Sequence, residues 1–515
     1  MSSAATEQKF ADGYLSEKVQ GLGIARAYTR AQGNTLYYLD EHGEEAAVLD
    51  YVGGFGSLMF GHNNPEINAH AKAILDAQTP VFTLMLGHSY ANEVATAINK
   101  IVQRELDTDE PHYSLFANSG AEGVEIAIKH TELDRGIRIA ELLDDVEAHI
   151  EAARAAVDSG AATLPDGAAS FDALAADVRA RNTELAERAP VFLALERAFH
   201  GKLTASVQLT YNPDYRTPFK ALAAQSRFVP ADEPETLREV VAQERRNGLD
   251  VVVREGQIVV VERDFPVIGG FFLEVIRGEA GIWPVSREFA QEVRETADDL
   301  GCPLVVDEIQ SGLGRTGAFL ASTHIGLQGD YYVLAKSLGG GIAKTAAVII
   351  RESRYRKDFE LIHSSTFAKD SFSSLIAIKV LEMLEADDGK AYKLAAELGR
   401  KLTAVLESLR ADFPDVFKDV RGTGLMLGLE LHEQPDSASG IIREISDGGG
   451  LGYVVSAHIL REHLIRIFPT ASAGNTLRLE PSIYLTDAEI DRLDVALRAT
   501  AKVLRDADGQ RLVGA

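Results

Sequence analysis

Two segments of the chain carry residues whose types suit an aromatic aldehyde cofactor. In residues 304–310, LVVDEIQ, the carboxylate of Asp307 ends an apolar run, and in residues 334–341, LAKSLGGG, a lone lysine, Lys336, precedes three glycines. A lysine amine can form a Schiff base with an aldehyde, and a carboxylate can keep a pyridine nitrogen protonated through a charge-assisted hydrogen bond. The two segments indicate pyridoxal phosphate chemistry, with Lys336 and Asp307 as candidate catalytic residues.

A turn elsewhere in the chain could bind the phosphate of such a cofactor. Residues 118–122, NSGAE, lie between a predicted strand and a predicted helix. At such a junction the free backbone N–H groups and the positive end of the helix dipole attract an anion. Taken alone, the same residues are more commonly an ordinary capping turn, with Asn118 or Ser119 as the cap. The sequence leaves both interpretations open.

The elements that must position these residues follow from the hydrophobic pattern. Short apolar runs rich in Val, Ile and Leu alternate with longer amphipathic segments, which predicts an α/β fold with a mostly parallel sheet and helices on both faces. Strands are predicted at residues 114–117, 191–195, 270–274 and 303–307. Helices are predicted at residues 124–130, 289–300, 372–385, 391–409 and 487–506. A domain boundary is expected near Ser371.

Two stretches interrupt this alternation. Residues 132–189 are rich in Ala, Glu, Asp and Arg with helical periodicity, and turn sequences divide them at 159–160 and 165–167. They predict an inserted pair of mostly solvated helices. Residues 248–265 contain two β-branched runs around a glycine-bearing turn, which predicts a β-hairpin that packs against the fold or shapes a pocket.

Composition and charge exclude several classes of protein. With 515 residues, 46% of them hydrophobic, the chain can bury a large core and should form two or three structural units. Asp and Glu outnumber Lys and Arg by 77 to 52, and the net charge of −25 repels nucleic acid and anionic membrane surfaces. The single cysteine, Cys302, can form neither an internal disulfide nor a zinc cluster, and no metal site is predicted. Neither a membrane span nor, in residues 1–7, a signal peptide is predicted, so we expect a cytoplasmic protein.

One segment supports a competing interpretation. Residues 312–317, GLGRTG, have the glycine spacing of a dinucleotide-binding fingerprint and follow a predicted strand. That fingerprint should open a helix within a βαβ unit, with an acidic residue about 20 positions further on. Here the strand ends at Asp307 and the first glycine comes only at Gly312. A nicotinamide- or flavin-dependent enzyme is therefore the alternative outside pyridoxal phosphate chemistry.

Eight short segments, in chain order, match a known family. They are residues 61–65 (GHNNP), 118–122 (NSGAE), 199–201 (FHG), 274–281 (EVIRGEAG), 307–312 (DEIQSG), 335–336 (AK), 365–367 (STF) and 477–481 (LRLEP). Over residues 38–504 the chain resembles the class III aminotransferases, the ornithine and omega-amino acid type, of fold type I among pyridoxal phosphate enzymes. The resemblance implies a large domain, residues 71–370, with a mostly parallel seven-stranded sheet flanked by helices. It also implies a smaller α/β domain formed by residues 1–70 and 371–515.

The resemblance implies roles at the cofactor ring. Lys336 becomes the Schiff-base lysine and, once released, the group that moves a proton between the substrate carbon and the cofactor. Asp307 pairs with the pyridine nitrogen. Phe199 and Ile309 occupy the positions above and below the ring, although both are also compatible with plain core positions. Gln310 approaches the phenolic oxygen.

Further residues of the matching segments are expected at the phosphate. Ser119, Gly120 and Ala121 would bind it, joined by Thr366 from the neighbouring subunit. A homodimer with shared active sites is thereby part of the prediction. By itself, Thr366 would be taken for a turn residue.

His200 and Glu274 complete the predicted cofactor-binding set. Lys344 is a rival for the Schiff-base role, but it follows the glycines and aligns poorly with the family. A lone lysine is usually a solvated surface charge, whereas Lys336 lies between apolar residues and glycines. A buried amine with a depressed pKa is therefore expected at Lys336.

Two charged residues match substrate-binding positions of the family. Arg478 matches the arginine that binds the carboxylate of the amino donor, a planar recognition for which guanidinium is suited. Glu279 matches the glutamate that, in some members, neutralises this arginine when the second substrate has no carboxylate there. One half of a surface ion pair is the ordinary alternative for either residue.

Departures from the family bear on the substrate. After residues 365–367 the chain continues AKDS where the family usually has two glycines, an asparagine and a proline, and Val275 replaces a proline. With the insertions, these departures resemble aminotransferases of bacterial antibiotic and pigment pathways, such as caerulomycin biosynthesis. That resemblance implies ping-pong transfer from an amino acid donor to an aldehyde acceptor. An ornithine-like or omega-amino acid aminotransferase of primary metabolism is the alternative within the family.

Overall fold

A computed structural model of the chain describes residues 11–83 and 90–514. The prediction that the chain begins without a signal peptide concerns residues 1–7, which lie outside the described residues. Within the described ranges, the strands pair into one seven-stranded sheet, two four-stranded sheets and two two-stranded ribbons. No helix of these ranges is long and apolar enough to cross a membrane.

The elements alternate along the chain as the hydrophobic pattern predicts. The strands are β1 (Tyr28–Gln32), β2 (Thr35–Leu39), β3 (Glu45–Asp50), β4 (His112–Ala117), β5 (Val191–Leu195), β6 (Ser226–Val229), β7 (Arg246–Arg254), β8 (Gln257–Phe265), β9 (Ile268–Glu274), β10 (Ile276–Arg277), β11 (Trp283–Pro284), β12 (Leu304–Asp307), β13 (Tyr331–Leu334), β14 (Ala346–Arg351), β15 (Phe417–Thr423), β16 (Met426–Leu431), β17 (Ile465–Arg466), β18 (Phe468–Thr470) and β19 (Ala473–Leu479). The helices are α1 (Gly13–Gly21), α2 (Gly53–Gly56), α3 (Pro65–Asp76), α4 (Tyr90–Leu106), α5 (Gly120–Asp158), α6 (Phe171–Ala186), α7 (Ser206–Leu209), α8 (Pro213–Arg216), α9 (Pro234–Glu244), α10 (Arg287–Asp299), α11 (Phe359–Ile362), α12 (Ser371–Asp412), α13 (Gly440–Asp447), α14 (Leu451–His463), α15 (Asp487–Arg505) and α16 (Gly509–Val513). Residues 386–389 of α12 are not helical, so α12 comprises the two helices predicted on either side of them.

The central sheet brings the candidate residues to one edge. Its strand order is β4-β14-β13-β12-β9-β5-β6, and β14 runs antiparallel to both of its neighbours while the others run parallel to one another. Strands covered on both faces read as continuous apolar runs, as in β9, whose seven residues are all buried. Asp307 lies opposite Glu274 on one neighbouring strand and Val333 on the other. The predicted α/β fold with a mostly parallel sheet is confirmed.

Two smaller sheets join the N-terminal and C-terminal parts of the chain. β17 extends the sheet of β1, β2 and β3, with Ile465 paired to Leu49. β15, β16, β19 and β18 form the other sheet, and β19 carries Arg478 near its end. The strands of the central sheet lie between His112 and Arg351, inside the predicted large domain. The domain limits at residues 70 and 370 stay predictions.

The insertion is built differently from its prediction. α5 runs without a break over 39 residues, so the helix predicted at 124–130 and the first inserted helix are one element. Its far end packs with α6 and the β7–β8 hairpin around a separate small core, in which Val146 and Ile150 of α5 meet Val251 and Ile258 of the hairpin. The predicted hairpin is confirmed. One face of each inserted helix is buried, and the outer faces are solvated.

The glycine-rich segment 312–317 does not form a dinucleotide-binding site. It consists of turns and continues into further turns instead of opening a helix. Arg315 is fully buried within it and donates hydrogen bonds to the carbonyl oxygens of Gly56 and Pro481. The segment therefore joins the central sheet to both terminal parts of the chain. The nicotinamide or flavin interpretation is wrong, because the helix that the fingerprint requires is missing at this place.

Candidate active site

A cavity of about 630 Å³ opens where the parallel strands of the central sheet end. Ligands in open α/β sheets bind at this edge, outside the carboxyl ends of the strands. Most of the residues predicted to bind the cofactor lie in its wall: Ser119, Gly120, Ala121, Phe199, His200, Glu274, Asp307, Ile309, Gln310 and Lys336. Glu279 lines the same cavity. The fold brings these residues together from five different strand ends.

Lys336 lies just after β13, at the start of a 3₁₀ turn, with a φ of 47°. A left-handed φ is uncommon for a residue with a side chain, and such strain is concentrated at functional sites. Ser337 fixes the turn, because its Oγ donates to the carbonyl oxygen of Gly56 at 3.0 Å. Burial lowers the pKa of Lys336, although Glu480 and Glu279 act against it. A lowered pKa favours the neutral amine that can attack an aldehyde.

Asp307 is held from two sides. Its Oδ2 accepts a hydrogen bond from Nδ1 of His200 at 2.8 Å, and its Oδ1 accepts from the backbone N–H of Ile309 at 3.0 Å. The backbone N–H of His200 donates to Oγ1 of Thr210 at 3.0 Å, which fixes the imidazole in turn. Burial acts to lower the pKa of His200, but the hydrogen bond and charge of Asp307 outweigh burial and raise it. His200 thus orients the carboxylate of Asp307.

Glu274 anchors two loops of the cavity wall. Its Oε1 accepts from the backbone N–H of Phe199 at 2.7 Å and its Oε2 from the backbone N–H of Gly278 at 3.2 Å. Burial raises the pKa of Glu274 to about 7, with His200 opposing and Asp307 adding to the shift. Through these bonds Glu274 holds the backbone at Phe199 and at Gly278.

The turn before α5 caps the helix and leaves the first N–H groups of α5 at the cavity wall. Ser119 caps α5, because its Oγ accepts the backbone N–H of Glu122 at 3.3 Å. Oε2 of Glu122 accepts from the backbone and side-chain amides of Asn118 at 2.8 and 3.0 Å. A Cβ added at Gly120 would lie 2.8 Å from Cδ1 of Ile309, so this close approach requires glycine. The capping interpretation is confirmed, and the first N–H groups of α5 lie at the cavity wall, where they can bind an anion.

Gln310 is fixed beside the predicted ring position. Its Nε2 donates to Oε1 of Glu480 at 2.7 Å. A Cβ added at Gly278 would lie 1.9 Å from Oε1 of Gln310, so glycine at 278 makes room for the amide. Phe199 and Ile309, predicted above and below the ring, both line the cavity. Phe199, Ile309 and Gln310 are therefore all available to contact a bound cofactor ring.

Arg478 and Glu279 form a buried ion pair. Arg478 is 1% exposed, and its Nη2 lies 2.6 Å from Oε2 of Glu279. The backbone N–H of Ala471 donates to the same carboxylate oxygen at 2.8 Å. Burial acts to raise the pKa of Glu279, but the charge and hydrogen bond of Arg478 outweigh burial and lower it. The alternative of an exposed surface pair is wrong.

Glu480 is a buried carboxyl in a matching segment, and no role of its own was predicted for it. Residues two apart project to the same side of an extended chain, and Oε2 of Glu480 lies 3.9 Å from Nη1 of Arg478. Glu480 is fully buried, and its Oε2 has no hydrogen-bond partner among the described residues. The spacing of Arg and Glu in LRLEP is the signal that could have predicted this second carboxyl at the site.

Three residues lie at the margins of the site. Thr366 is exposed and is absent from the cavity wall that the described residues form. Its segment contacts the turn at residues 118–122, which we call the phosphate turn after its predicted role. In this contact Nδ2 of Asn118 donates to Oγ of Ser365 at 3.1 Å. Lys344 lines the cavity and is exposed there. Lys202, which the sequence analysis did not single out, also lines the cavity.

The residues present fit pyridoxal phosphate. An amine with a lowered pKa, a carboxylate held by His200 and the N-terminus of α5 lie in the wall of one cavity, which matches the aldehyde, the pyridine nitrogen and the phosphate of that cofactor. No group of three or more His, Cys, Asp or Glu side chains in residues 11–83 and 90–514 is placed to hold a metal ion. Fold and site together define a pyridoxal phosphate-dependent enzyme of fold type I.

Comparison with known proteins gives the family. The chain belongs to the family Aminotransferase class-III, which matches residues 17–500. It is 29% identical over 511 residues to the diaminobutyrate–2-oxoglutarate aminotransferase of Rhizobium meliloti, covering 97% of this chain and 93% of that protein. It is 26% identical over 486 residues to the putrescine aminotransferase of Pectobacterium atrosepticum, covering 93% of this chain and 82% of that protein.

A solved structure supports the fold. The ornithine aminotransferase of Toxoplasma gondii, whose active site contains pyridoxal phosphate at partial occupancy, matches with a TM-score of 0.66 at 20% identity. The match covers 97% of this chain and 96% of that one. The protein is thus a pyridoxal phosphate-dependent aminotransferase that acts on amino acid or amine substrates.

Proposed function

We propose that this aminotransferase moves an amino group from an amino acid donor to an aldehyde without a carboxylate, in two half-reactions at one site. The observation that carries the proposal is the buried pair of Arg478 and Glu279, with 2.6 Å between Nη2 and Oε2. A donor carboxylate can pair with Arg478 when Glu279 moves aside, since guanidinium binds carboxylates in a planar, bidentate way. When Glu279 returns, it neutralises Arg478, and an acceptor without a carboxylate leaves no buried charge unpaired.

The residues of the chain itself bind the cofactor and move the proton in this reaction. Bound pyridoxal phosphate supplies the electron sink that stabilises negative charge at the substrate carbon. Nζ of Lys336 holds the cofactor between turnovers and carries the proton to and from the substrate carbon, a role that suits an amine with a lowered pKa. Asp307, oriented by His200, keeps the pyridine nitrogen protonated.

We also propose a homodimer with shared active sites. The segment around Thr366 exposes large apolar side chains, with Leu361 87% and Ile362 64% exposed, and Phe82 packs edge-on against the exposed ring of Phe367. An apolar surface of this kind indicates a covering partner. A second copy of the chain would cover it and bring each Thr366 to the phosphate turn of the other subunit.

Three parts of the proposal come from the sequence. The domain limits at residues 70 and 370 are supported by the position of the central-sheet strands between His112 and Arg351. The cytoplasmic location and the role in antibiotic or pigment biosynthesis depend on composition and on the resemblance alone. Expression of the chain beside its neighbouring biosynthetic genes would test that role.

A second candidate is an ornithine-like or omega-amino acid aminotransferase of primary metabolism. It is favoured by the relatives named for diaminobutyrate and putrescine, which are substrates with two amino groups. In that case the acceptor would be a 2-oxo acid, whose carboxylate pairs with Arg478 in the second half-reaction as well.

A panel of donors and acceptors tests the proposal. An amino acid donor should bleach the visible band of the lysine-linked cofactor, and an aldehyde should restore it. The E279Q variant keeps the shape but not the charge, so it should lose rate with aldehydes more than with 2-oxo acids. Return of the band with 2-oxo acids alone would contradict the aldehyde acceptor and support the second candidate. Survival of the band in Lys336→Ala would contradict the whole assignment.

A further inference from the structure

Three aromatic side chains form a connected arc that the proposed function does not use. We call Phe55, Phe468 and Tyr453 the aromatic rim. The rings of Phe55 and Phe468 meet edge to face with centroids 6.1 Å apart, and those of Phe468 and Tyr453 with centroids 5.9 Å apart. All three side chains are at least partly exposed, so ring surface remains accessible to a ligand.

One end of the aromatic rim lies beside the active-site cavity. The guanidinium of Arg478 lies 5.0 Å from the ring centroid of Phe55, and Arg478 pairs with Glu279 in the cavity wall. The aromatic rim therefore extends from the ion pair of Arg478 and Glu279 through Phe55 and Phe468 to Tyr453.

The backbone holds Phe55 in a strained conformation. Residues 53–56 form a left-handed turn, with φ values of 54°, 60°, 57° and 85°. Three of the four are glycines, but Phe55 has a side chain, for which this region costs about 1–2 kcal/mol. A Cβ added at Gly53 would lie 2.0 Å from the carbonyl oxygen of Glu480, so the turn is packed directly against the strand end that carries Arg478. Strain of this kind persists where a side chain must point in one direction.

Tyr453 is positioned by a close contact between backbones. It lies in the first turn of α14, next to Gly452, where an added Cβ would lie 2.0 Å from the carbonyl oxygen of Gly474. The missing side chain lets α14 approach β19 and places Tyr453 beside Phe468 of β18. Two separate backbone features, the left-handed turn at residues 53–56 and the close contact at Gly452, thus position the rings of the aromatic rim.

We propose that the aromatic rim binds the planar ring of an aromatic aldehyde, which would be the acceptor of the proposed function on which this inference rests. Aromatic rings prefer edge-to-face and offset contacts, which partly exposed rings beside the cavity can offer to a flat ligand. The guanidinium of Arg478, next to Phe55, also suits the negative face of a ring. Tyr453 and Phe468 are then specificity-determining residues, supplied by the C-terminal part of the chain.

The second half-reaction alone tests this inference. Apoenzyme is loaded with pyridoxamine phosphate, so no donor is needed, and the return of the visible band is followed with benzaldehyde and with butanal. We expect the wild type to prefer benzaldehyde. The variants Tyr453→Leu and Phe468→Leu keep apolar bulk but remove a ring, and each should lower the ratio of second-order rate constants by about 2- to 10-fold.

A matched variant and a binding measurement complete the design. Tyr38→Leu removes one ring of another edge-to-face pair, with Tyr28 at 6.2 Å, in a different sheet, and should leave the ratio unchanged. Benzyl alcohol, which cannot react, should perturb the visible band of the resting holoenzyme at lower concentration than 1-butanol. That preference should shrink in Tyr453→Leu.

The outcomes separate the two proposals. An unchanged ratio in both ring-removing variants, or a wild-type preference for butanal, would overturn the aromatic rim as a ring-binding site. If neither aldehyde restores the band and 2-oxo acids do, the aldehyde acceptor of the proposed function fails. Benzyl alcohol binding then still decides the aromatic rim: equal binding of both alcohols overturns it, and preferential binding that Tyr453→Leu abolishes supports it.

Discussion

The charge on Lys336 depends on side chains that the fold brings in from distant parts of the chain. Burial lowers its pKa, while Glu480 and Glu279 raise it and Arg478 adds to the lowering. With Asp307, which also raises the pKa, three carboxyls and one guanidinium act on the amine. Among the carboxyls, Glu480 raises the pKa of Lys336 the most.

Replacing Glu480 by Gln should lower the pKa of the group formed at Lys336. The variant removes a negative charge that stabilises the protonated nitrogen and keeps the side chain's shape. The midpoint of a pH titration of the visible band measures the shift, which should run toward lower pH. Asp487→Asn, at the exposed start of α15, serves as the control. A midpoint that stays or rises in Glu480→Gln would contradict this role.

Glu274 should make the stability of the apoenzyme depend on pH. Burial raises its pKa from 4.5 to about 7, so between these values the folded protein binds a proton that the unfolded chain has released. Its contribution is complete below the unfolded value and is lost as the pH rises through the folded one. Relative to the Glu274→Gln variant, the melting temperature of the wild type should therefore fall between about pH 5 and about pH 8. The control Glu41→Gln, at an exposed position, should show the same difference in melting temperature from the wild type at both pH values. The same result for Glu274→Gln would refute the prediction.

At the scale of elements, α5 connects the phosphate turn to the insertion. Gly120→Ala should weaken cofactor binding, because the new Cβ would lie 2.8 Å from Cδ1 of Ile309. Overpacking costs about 1–3 kcal/mol, so the Kd for pyridoxal phosphate should rise about 5- to 150-fold. Gly136→Ala is the matched control in the same helix, since nothing lies within 4 Å of its added Cβ. That change should stabilise the apoenzyme by up to about 1 kcal/mol. Equal affinities for pyridoxal phosphate in both variants would contradict the requirement for glycine at position 120.

The local sequence pattern predicted the presence of helices and strands better than it predicted their end residues or the contacts between them. β5 has the predicted bounds, because an apolar run between turns is a local signal. The length of α5 was not predicted, since its composition changes near residue 132 while its helical hydrogen bonds continue. The bond between His200 and Asp307 joins residues 107 apart, and that between Gln310 and Glu480 residues 170 apart. No local pattern encodes such contacts, so His200 and Gln310 were predicted only through the resemblance, and no role was predicted for Glu480.

At the scale of the whole molecule, one chain supplies the wall of the cavity. This wall contains Lys336, Asp307 and the turn before α5. Thr366, which we propose to act at the site of a neighbouring subunit, is instead exposed in the same segment as the apolar side chains of Leu361 and Ile362. If the dimer forms through this surface, each site would be completed by its neighbour.

Mixing two inactive or weakened variants should restore activity if Thr366 acts across the subunit interface. Lys336→Ala lacks the lysine and Thr366→Ala lacks the hydroxyl. In a mixed dimer, the subunit that keeps Lys336 would receive Thr366 from its partner, so one of the two sites would be intact. After unfolding and refolding together, the mixture should bind cofactor more tightly and turn over faster than either variant refolded alone. If Thr366 acted within its own chain, every site of the mixture would keep a defect, and the mixture would show only the average of the two variants.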